Sequence, residues 1–398
     1  GWDLPRDVPH FGGLWEFGSP RQFLAERLGW TFPGRACPEL VNVPHHRAHA
    51  LSAFYASGLE EAAILVNDGN GDDESISIYE ARLGQPLIRR EVWPRSHSIG
   101  FMYDAASRAL GLSFLEAGKT MGLASYGRAR GIRPRPLMLG DDEHFLPPFD
   151  LGPEAGYKEV VSEWEKVFAG FGDVPVRTSS AALDTDPLAV ELAWSAQATV
   201  EQLVPALVAH ARRSTGLDAV CLAGGVALNC VANGKVLRDG HFENIWIQPA
   251  AGDAGGAVGS ALAAYHIFKG QPRKANGASG ADGMAGSYLG PHFAQAEIER
   301  RLTAAGARFA VSNEAAMLET TAQALTEEKA VGWFQGRMEF GPRSLGARSI
   351  LGDPRSPAMQ KNLNLKVKYR ESFRPFAPAV LREDVQDWFD LKSDSPYM

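Results

Sequence analysis

His45, His46 and His49 fall within five positions of a chain that holds only ten histidines. On a helix, residues four apart share one face, so His45 and His49 can converge on a single ion. His46 then points elsewhere, free to face substrate or solvent. Two ligands do not complete a metal centre, and the same pair also reads as a helix start with solvated imidazoles. Asp68-Gly69-Asn70-Gly71-Asp72 directly follows an apolar run. Glycines at 69 and 71 let backbone N–H groups turn toward a phosphate, and a strand-end Asp can bind a metal. The alternative is a hairpin turn, for which Asn-Gly is a strong signal. Gly224-Gly225 ends another apolar run and opens a helix whose N-terminus could receive phosphate, or it is a tight turn that packing requires. Asp253 lies in a Gly-rich loop before a small-residue helix, as a further metal ligand or as a helix cap.

A further group of candidate residues is basic. Arg337, Arg343, Arg348, Lys368, Arg370 and Arg374 crowd into "GRMEFGPRSLGARSI" and "KVKYRESFRPFAP", with Glu339 and Glu371 as the only acidic residues in those two stretches. They are interleaved with Gly, Pro and Ser and lack the i,i+4 partners of a solvated basic face. Such a cluster fits a pocket for a phosphorylated small molecule, where Arg gives bidentate contacts and Lys a point charge. The net charge of −7 argues against a general nucleic-acid or membrane-surface binder. Three cysteines with no CxxC pair suit a reducing cytoplasm. No stretch reaches the length of a membrane span.

The elements that must position these residues read as α/β. A helix is expected from His45 to Gly58, then strands at 62–66, 75–79 and 87–93 as an antiparallel hairpin or meander. Residues 100–130 read as helix, as does 186–216, and Ser19-Pro20 starts a short one in 19–30. Region 131–185 is Pro/Gly-rich and poorly patterned, which suggests a surface insertion. Strands at "AVCLAGG" and "NIWIQP" alternate with helices at 226–240 and after Asp253. A polar, Gly/Ala-rich piece at 271–288 is the expected linker between a domain at 1–270 and a second at 289–398. Gly1 precedes no obvious leading strand and "DSPYM" ends without a capped helix, so both ends read as cut edges of a longer protein.

Taken in order, "HHRAHALSAFYASG", "NDGNGD", "EAGKTMGLASYG", "GGVALN", "GDAGGAVGSA" and the two basic stretches resemble the NodU/CmcH-type O-carbamoyltransferases over roughly residues 40–398. The resemblance implies an actin-like (ASKHA) domain of RNase-H-like lobes followed by an α+β YrdC-like domain, both truncated at the chain ends. The second is expected to combine carbamoyl phosphate with ATP, with Mg2+, into carbamoyl adenylate and pyrophosphate. The first is expected to pass the carbamoyl group to a hydroxyl of a small-molecule acceptor. The resemblance also implies iron (Fe2+), or a similar first-row metal, on His45, His49, Asp68 and Asp253, a mixed N/O set that suits such metals. Gly69, Gly71, Gly224, Gly225 and Asn229 would line the nucleotide cleft. Arg337, Arg343, Arg348, Lys368, Arg370 and Arg374 would hold carbamoyl phosphate and the ATP phosphates. His46, Asp72 and Lys119 are the candidate catalytic groups, the first two as bases for the acceptor hydroxyl. The expected partners are a hydroxylated small molecule and a second copy in a homodimer, with no nucleic acid and no membrane. A tRNA threonylcarbamoyl transferase-like enzyme and a non-catalytic ATP-binding actin-like module remain the alternatives.

Overall fold

An unbroken apolar run such as Ala62–Val66 cannot alternate between core and water; it needs cover on both faces. In the computed structural model it forms the middle of β1 (Glu61–Gly71), the centre of a five-stranded sheet of order β3-β2-β1-β4-β5. β2 (Glu74–Arg82) runs antiparallel to β1, and β3 (Ile88–Pro94) antiparallel to β2. β4 (Ala219–Ala223) and β5 (Asn244–Ile247) are added parallel on the other side. Only β2 opposes the rest, which is the strand order of an RNase-H-like lobe, the unit expected of an actin-like domain. The structure describes residues 25–29, 33–36, 39–113, 116–138, 144–172, 183–273, 282–391 and 393–398. Residues 1–43 and 44–398 are two compact units. In the first, residues 25–29 are helical; the rest of the helix expected at 19–30 lies outside the described residues.

β1 sorts its side chains by the two-residue period of a strand. Ala62, Ile64 and Val66 pack with Ala50, Ala53 and Phe54 of α1 (His45–Ser57), which ends at a left-handed Gly58. Ala63 and Leu65 face a larger core. That core takes Met102 from α2 (Ile99–Ala109), Leu123 from α3 (Ala117–Ala129), Trp164 from α4 (Tyr157–Ala169) and Leu207 from α5 (Pro187–Thr215). The limits of α5 follow from its ends: Asp186 accepts from the N–H groups of Leu188 and Ala189, Pro187 opens the helix, and Gly216 closes it at φ +69°.

Two expectations are corrected. Region 131–185 is not merely a surface insertion, because α4 buries Val160, Val161, Trp164 and Phe168 in the main core. Their i, i+4, i+8 spacing is that of an amphipathic helix, obscured by the surrounding Pro and Gly. Residues 139–143 and 173–182 of that region lie outside the described residues. The helix expected at 226–240 begins only at Cys230 (α6, Cys230–Asp239), because Gly225–Leu228 is a 3-10 turn and Asn229 caps α6 through the Ala232 N–H.

After β5 the chain turns into α7 (Asp253–Leu262), which lies against α1. The approach is so close that a Cβ on Gly259 would stand 1.8 Å from the Ala48 carbonyl oxygen. Of the expected linker, 274–281 lies outside the described residues, and Asp282 takes hydrogen bonds from Trp246 and Tyr397. Beyond it come α8 (Gln295–Ala304), α9 (Glu314–Thr326) and an antiparallel pair, β6 (Val331–Phe334) with β7 (Arg348–Leu351). No helix among the described residues is long and apolar enough to cross a membrane. Leu65→Ala, in the middle of the central strand, is expected to lower stability by about 2–5 kcal/mol, read as a drop in the denaturant midpoint.

Candidate metal centre

Asp68 lies in β1 just past its parallel pairing with β4, and Gly224-Gly225 and Asp253 follow the carboxyl ends of β4 and β5, where open α/β sheets present their loops to ligands. α1 precedes β1 and runs back across the sheet, so its first turn arrives at the same edge. The Asp68 carboxylate divides its two oxygens. Oδ1 accepts the N–H groups of Gly69 at 2.8 Å and Gly225 at 3.0 Å. Oδ2 lies 3.0 Å from His45 Nε2 and 3.2 Å from His49 Nε2, and the two Nε2 atoms are 3.0 Å apart. Asp253 Oδ1 stands 3.6 and 3.8 Å from those nitrogens. One ligand atom from each of the four residues falls within 4.8 Å of all the others.

The donor set fits a metal. Ligand bonds of about 2.0–2.2 Å place neighbouring donors roughly 3.0–3.5 Å apart, as found among the first three. Three lone-pair-bearing atoms aimed at one point repel one another unless a proton or a cation stands between them. Asp253 shows the same bias: it is the first residue of α7, its carboxylate caps no N–H there, and it projects toward the histidines. The helix-cap alternative for Asp253 is therefore not what the structure shows.

Electrostatics follow the geometry. Hydrogen bonding to Asp68 raises the His45 pKa above 6.5; burial opposes this, and the charges of Asp68, Asp253 and Asp72 add to it. Burial alone would raise the Asp68 carboxyl. The hydrogen bonds to His45 and His49, the His49 charge and the Gly225 N–H instead hold it far below the ordinary carboxylate range.

The other expected site residues separate into groups. His46 does not face solvent: it is 2% exposed, its Nδ1 is 2.6 Å from Ser77 Oγ, and burial pushes its pKa down to about 4. Gly71 is glycine because both rings press on it; a Cβ there would lie 2.3 Å from His46 Cδ2 and 2.5 Å from His45 Cδ2. Asp72 accepts the His45 N–H at 3.0 Å, supplying the cap that the preceding Pro44 has no side chain to give. Gly69 lies under α2, where Ser98 donates to its carbonyl. Gly224, at φ +89°, approaches the Asn67 backbone so closely that a Cβ would meet its carbonyl oxygen at 2.3 Å. Asn229, besides capping α6, donates to Gln197 Oε1, which also receives the Tyr103 hydroxyl. Nothing in the sequence pattern marks Gln197 or Tyr103.

The basic residues are held in different ways. Arg343 donates to the carbonyls of Leu228 and Tyr397, beside the start of α6, and burial lowers its pKa. Arg348 donates to the carbonyls of Gln335 and Ala347 and lies over the Phe334 ring. Arg337 is exposed. Lys368, Arg370 and Arg374 share one short segment, where burial and mutual repulsion lower the pKa of Lys368 and Arg370. Lys119 is ion-paired with Glu116 and Glu371.

Comparison with known proteins completes the description. The carbamoyltransferase N-terminus profile matches residues 32–262, and the carbamoyltransferase C-terminus profile matches 322–398. The chain belongs to the carbamoyltransferase family. It is 34% identical over 352 residues to nodulation protein NolO of Bradyrhizobium diazoefficiens, covering 87% of this chain and 60% of that protein. Nodulation protein NolNO of Sinorhizobium fredii is 34% identical over 364 residues, covering 89% and 50%. An uncharacterized protein of Synechocystis sp. is 43% identical over 369 residues, covering 91% and 58%. The chain thus spans about half to three-fifths of the length of these curated relatives. Full-length HypF in a phosphate- and nucleotide-bound form aligns with a TM-score of 0.34 and 16% identity, over 64% of this chain and 46% of that one. That likeness is too distant to place any residue.

Two outcomes test the centre. Gly259→Val, which wedges α1 from α7, is expected to abolish stoichiometric binding of added Co2+ by equilibrium dialysis while far-UV circular dichroism stays unchanged. Full binding in that variant would contradict the packing argument. In the metal-free fold the raised His45 pKa contributes stability that is complete below about 6.5 and is lost as pH rises through the folded value. A cation must displace that proton, so Co2+ affinity is expected to fall about tenfold per pH unit per displaced proton as pH drops below the folded value.

Proposed function

We propose that this chain is the metal-bearing, acceptor-carbamoylating part of an ATP-dependent O-carbamoyltransferase. The observation that carries the reading is the convergence of His45, His49, Asp68 and Asp253 at the carboxyl edge of the sheet, in a chain of the carbamoyltransferase family. The overall conversion takes carbamoyl phosphate and ATP, with water, to carbamoyl adenylate, pyrophosphate and phosphate. The carbamoyl carbon then passes to a hydroxyl of a small molecule, with AMP as the leaving group. A first-row cation held by those four residues would supply Lewis acidity toward a phosphate or carbamoyl oxygen. The chain's own residues do the positioning. Asp68 is fixed by two backbone N–H groups, His45 and His49 by one helix face, and the Gly224-Gly225 turn packs against the Asn67 backbone and the Asp68 carboxylate. Arg343, donating to Leu228 O, seats the loop 339–346 next to that turn.

The test supplies the full-length protein with carbamoyl phosphate, ATP and a panel of hydroxylated small molecules, and follows pyrophosphate release and product mass. The expected result is a carbamoylated acceptor, with kcat reduced by roughly a hundredfold or more in His45→Ala, about 3 kcal/mol of lost electrostatic stabilisation. ATP consumed by phosphoryl transfer, with no carbamoylated product, would overturn the reading.

A further inference from the structure

The Lys119 ammonium on α3 lies 2.7 Å from Glu371 Oε1, a residue 252 positions away. Both side chains are withdrawn from water, at 13% and 5% exposure, and Glu116, just before α3, pairs with the same ammonium. Burial would lower the Lys119 pKa, but the two carboxylates raise it and keep the group charged. The contact does not stop there. Pro375 sits over Gly122, where a Cβ would stand 3.2 Å from its Cδ. Phe373 is buried in the main core, with its ring centroid 6.3 Å from that of Tyr126. Positions 119, 122 and 126 form one stripe of a helix, so the segment 371–375 is laid along a single face of α3.

That segment continues the strap carrying Lys368, Arg370 and Arg374. Its inner brace is Asn364, fully buried, which donates to the carbonyls of Ser372 and Arg374 and accepts from Arg370 Nε at 2.6 Å. The three cations disfavour one another. The carboxylate between them in sequence, Glu371, is turned to Lys119 instead. A strap loaded with like charges needs an external anchor to hold its shape, and an anion completes its charge balance.

We infer that Lys119 is a positioning residue: through Glu371 it pins the strap 364–375 to α3, holding Lys368, Arg370 and Arg374 as a preformed anion site on the same body as the His–Asp centre. The inference deepens the proposed function, since it rests on an anionic co-substrate for that strap. Lys119 itself touches no reacting group and neither gives nor takes a proton in this role.

The test uses the full-length protein in four forms: wild type, Lys119→Met, Glu371→Gln and the double variant, with Lys119→Arg as the conservative control. Amide exchange of residues 364–376 is expected to rise about tenfold or more in each single variant, while exchange of α1 and β4 stays as in wild type. KM for carbamoyl phosphate is expected to rise about tenfold with kcat changed by no more than about twofold, and bound metal per chain is expected to be unchanged. The double variant should be no worse than either single, because both remove one interaction, and Lys119→Arg should retain most of the wild-type KM. Unchanged exchange in Lys119→Met, multiplicative effects in the double variant, or a loss confined to kcat would each overturn the inference. If wild type does not turn over carbamoyl phosphate, the proposed function fails while the exchange arm still decides the anchor.

Discussion

The Asp68 carboxylate is the constraint on which the rest depends. One oxygen belongs to the fold, taken by the N–H groups of Gly69 and Gly225; the other belongs to the site, facing two imidazoles. The Gly225 bond exists only because β4 runs parallel beside β1 and turns immediately at Gly224, where no side chain fits against the Asn67 backbone. Burial alone would favour the protonated carboxyl; the hydrogen bonds to His45 and His49, with the Gly225 N–H, keep it ionised, and the backbone donors fix its direction.

The other ligands reach that oxygen through packing between helices. α1 covers one face of the sheet with Ala50, Ala53 and Phe54, which sets the height and rotation of His45 and His49. α7 then lies on α1 with no side chain between Gly259 and the Ala48 carbonyl, which brings Asp253 to the opposite side of the histidines. Small residues in "GDAGGAVGSA" are thus a distance requirement. The basic strap is attached along one stripe of α3, through Glu371, Phe373 and Pro375.

Much of this was legible in the sequence because it is periodic or local. The His45/His49 pair follows from the helical repeat, the apolar run of β1 predicts a strand, and the periodic run 186–216 predicts α5 to within a residue at each end. The family resemblance points to Asp68 and Asp253 as ligands, and the structure sets them beside the histidines. What stayed hidden depends on tertiary contact. Neither the burial of His46 against Ser77 nor the capping of α1 by Asp72 has a spacing signature, because each joins segments 27 or 31 residues apart. The pairing of Lys119 with Glu371 spans most of the chain. Arg343 and Arg348 counted as phosphate ligands by type, yet their guanidinium groups bond backbone carbonyls, a use that residue identity does not reveal. α4 is hard to see in the sequence because prolines and glycines on both sides mask its apolar stripe.

The central claim is that one cation is bound by two imidazole nitrogens and two carboxylates. It is tested most directly by X-ray absorption at the K-edge of a first-row metal loaded into the full-length protein. The account predicts a first shell of mixed nitrogen and oxygen at about 2.0–2.2 Å with the outer-shell scattering of two imidazole rings, reduced to one ring in His49→Ala. An all-oxygen shell with no imidazole scattering, identical in wild type and variant, would contradict it.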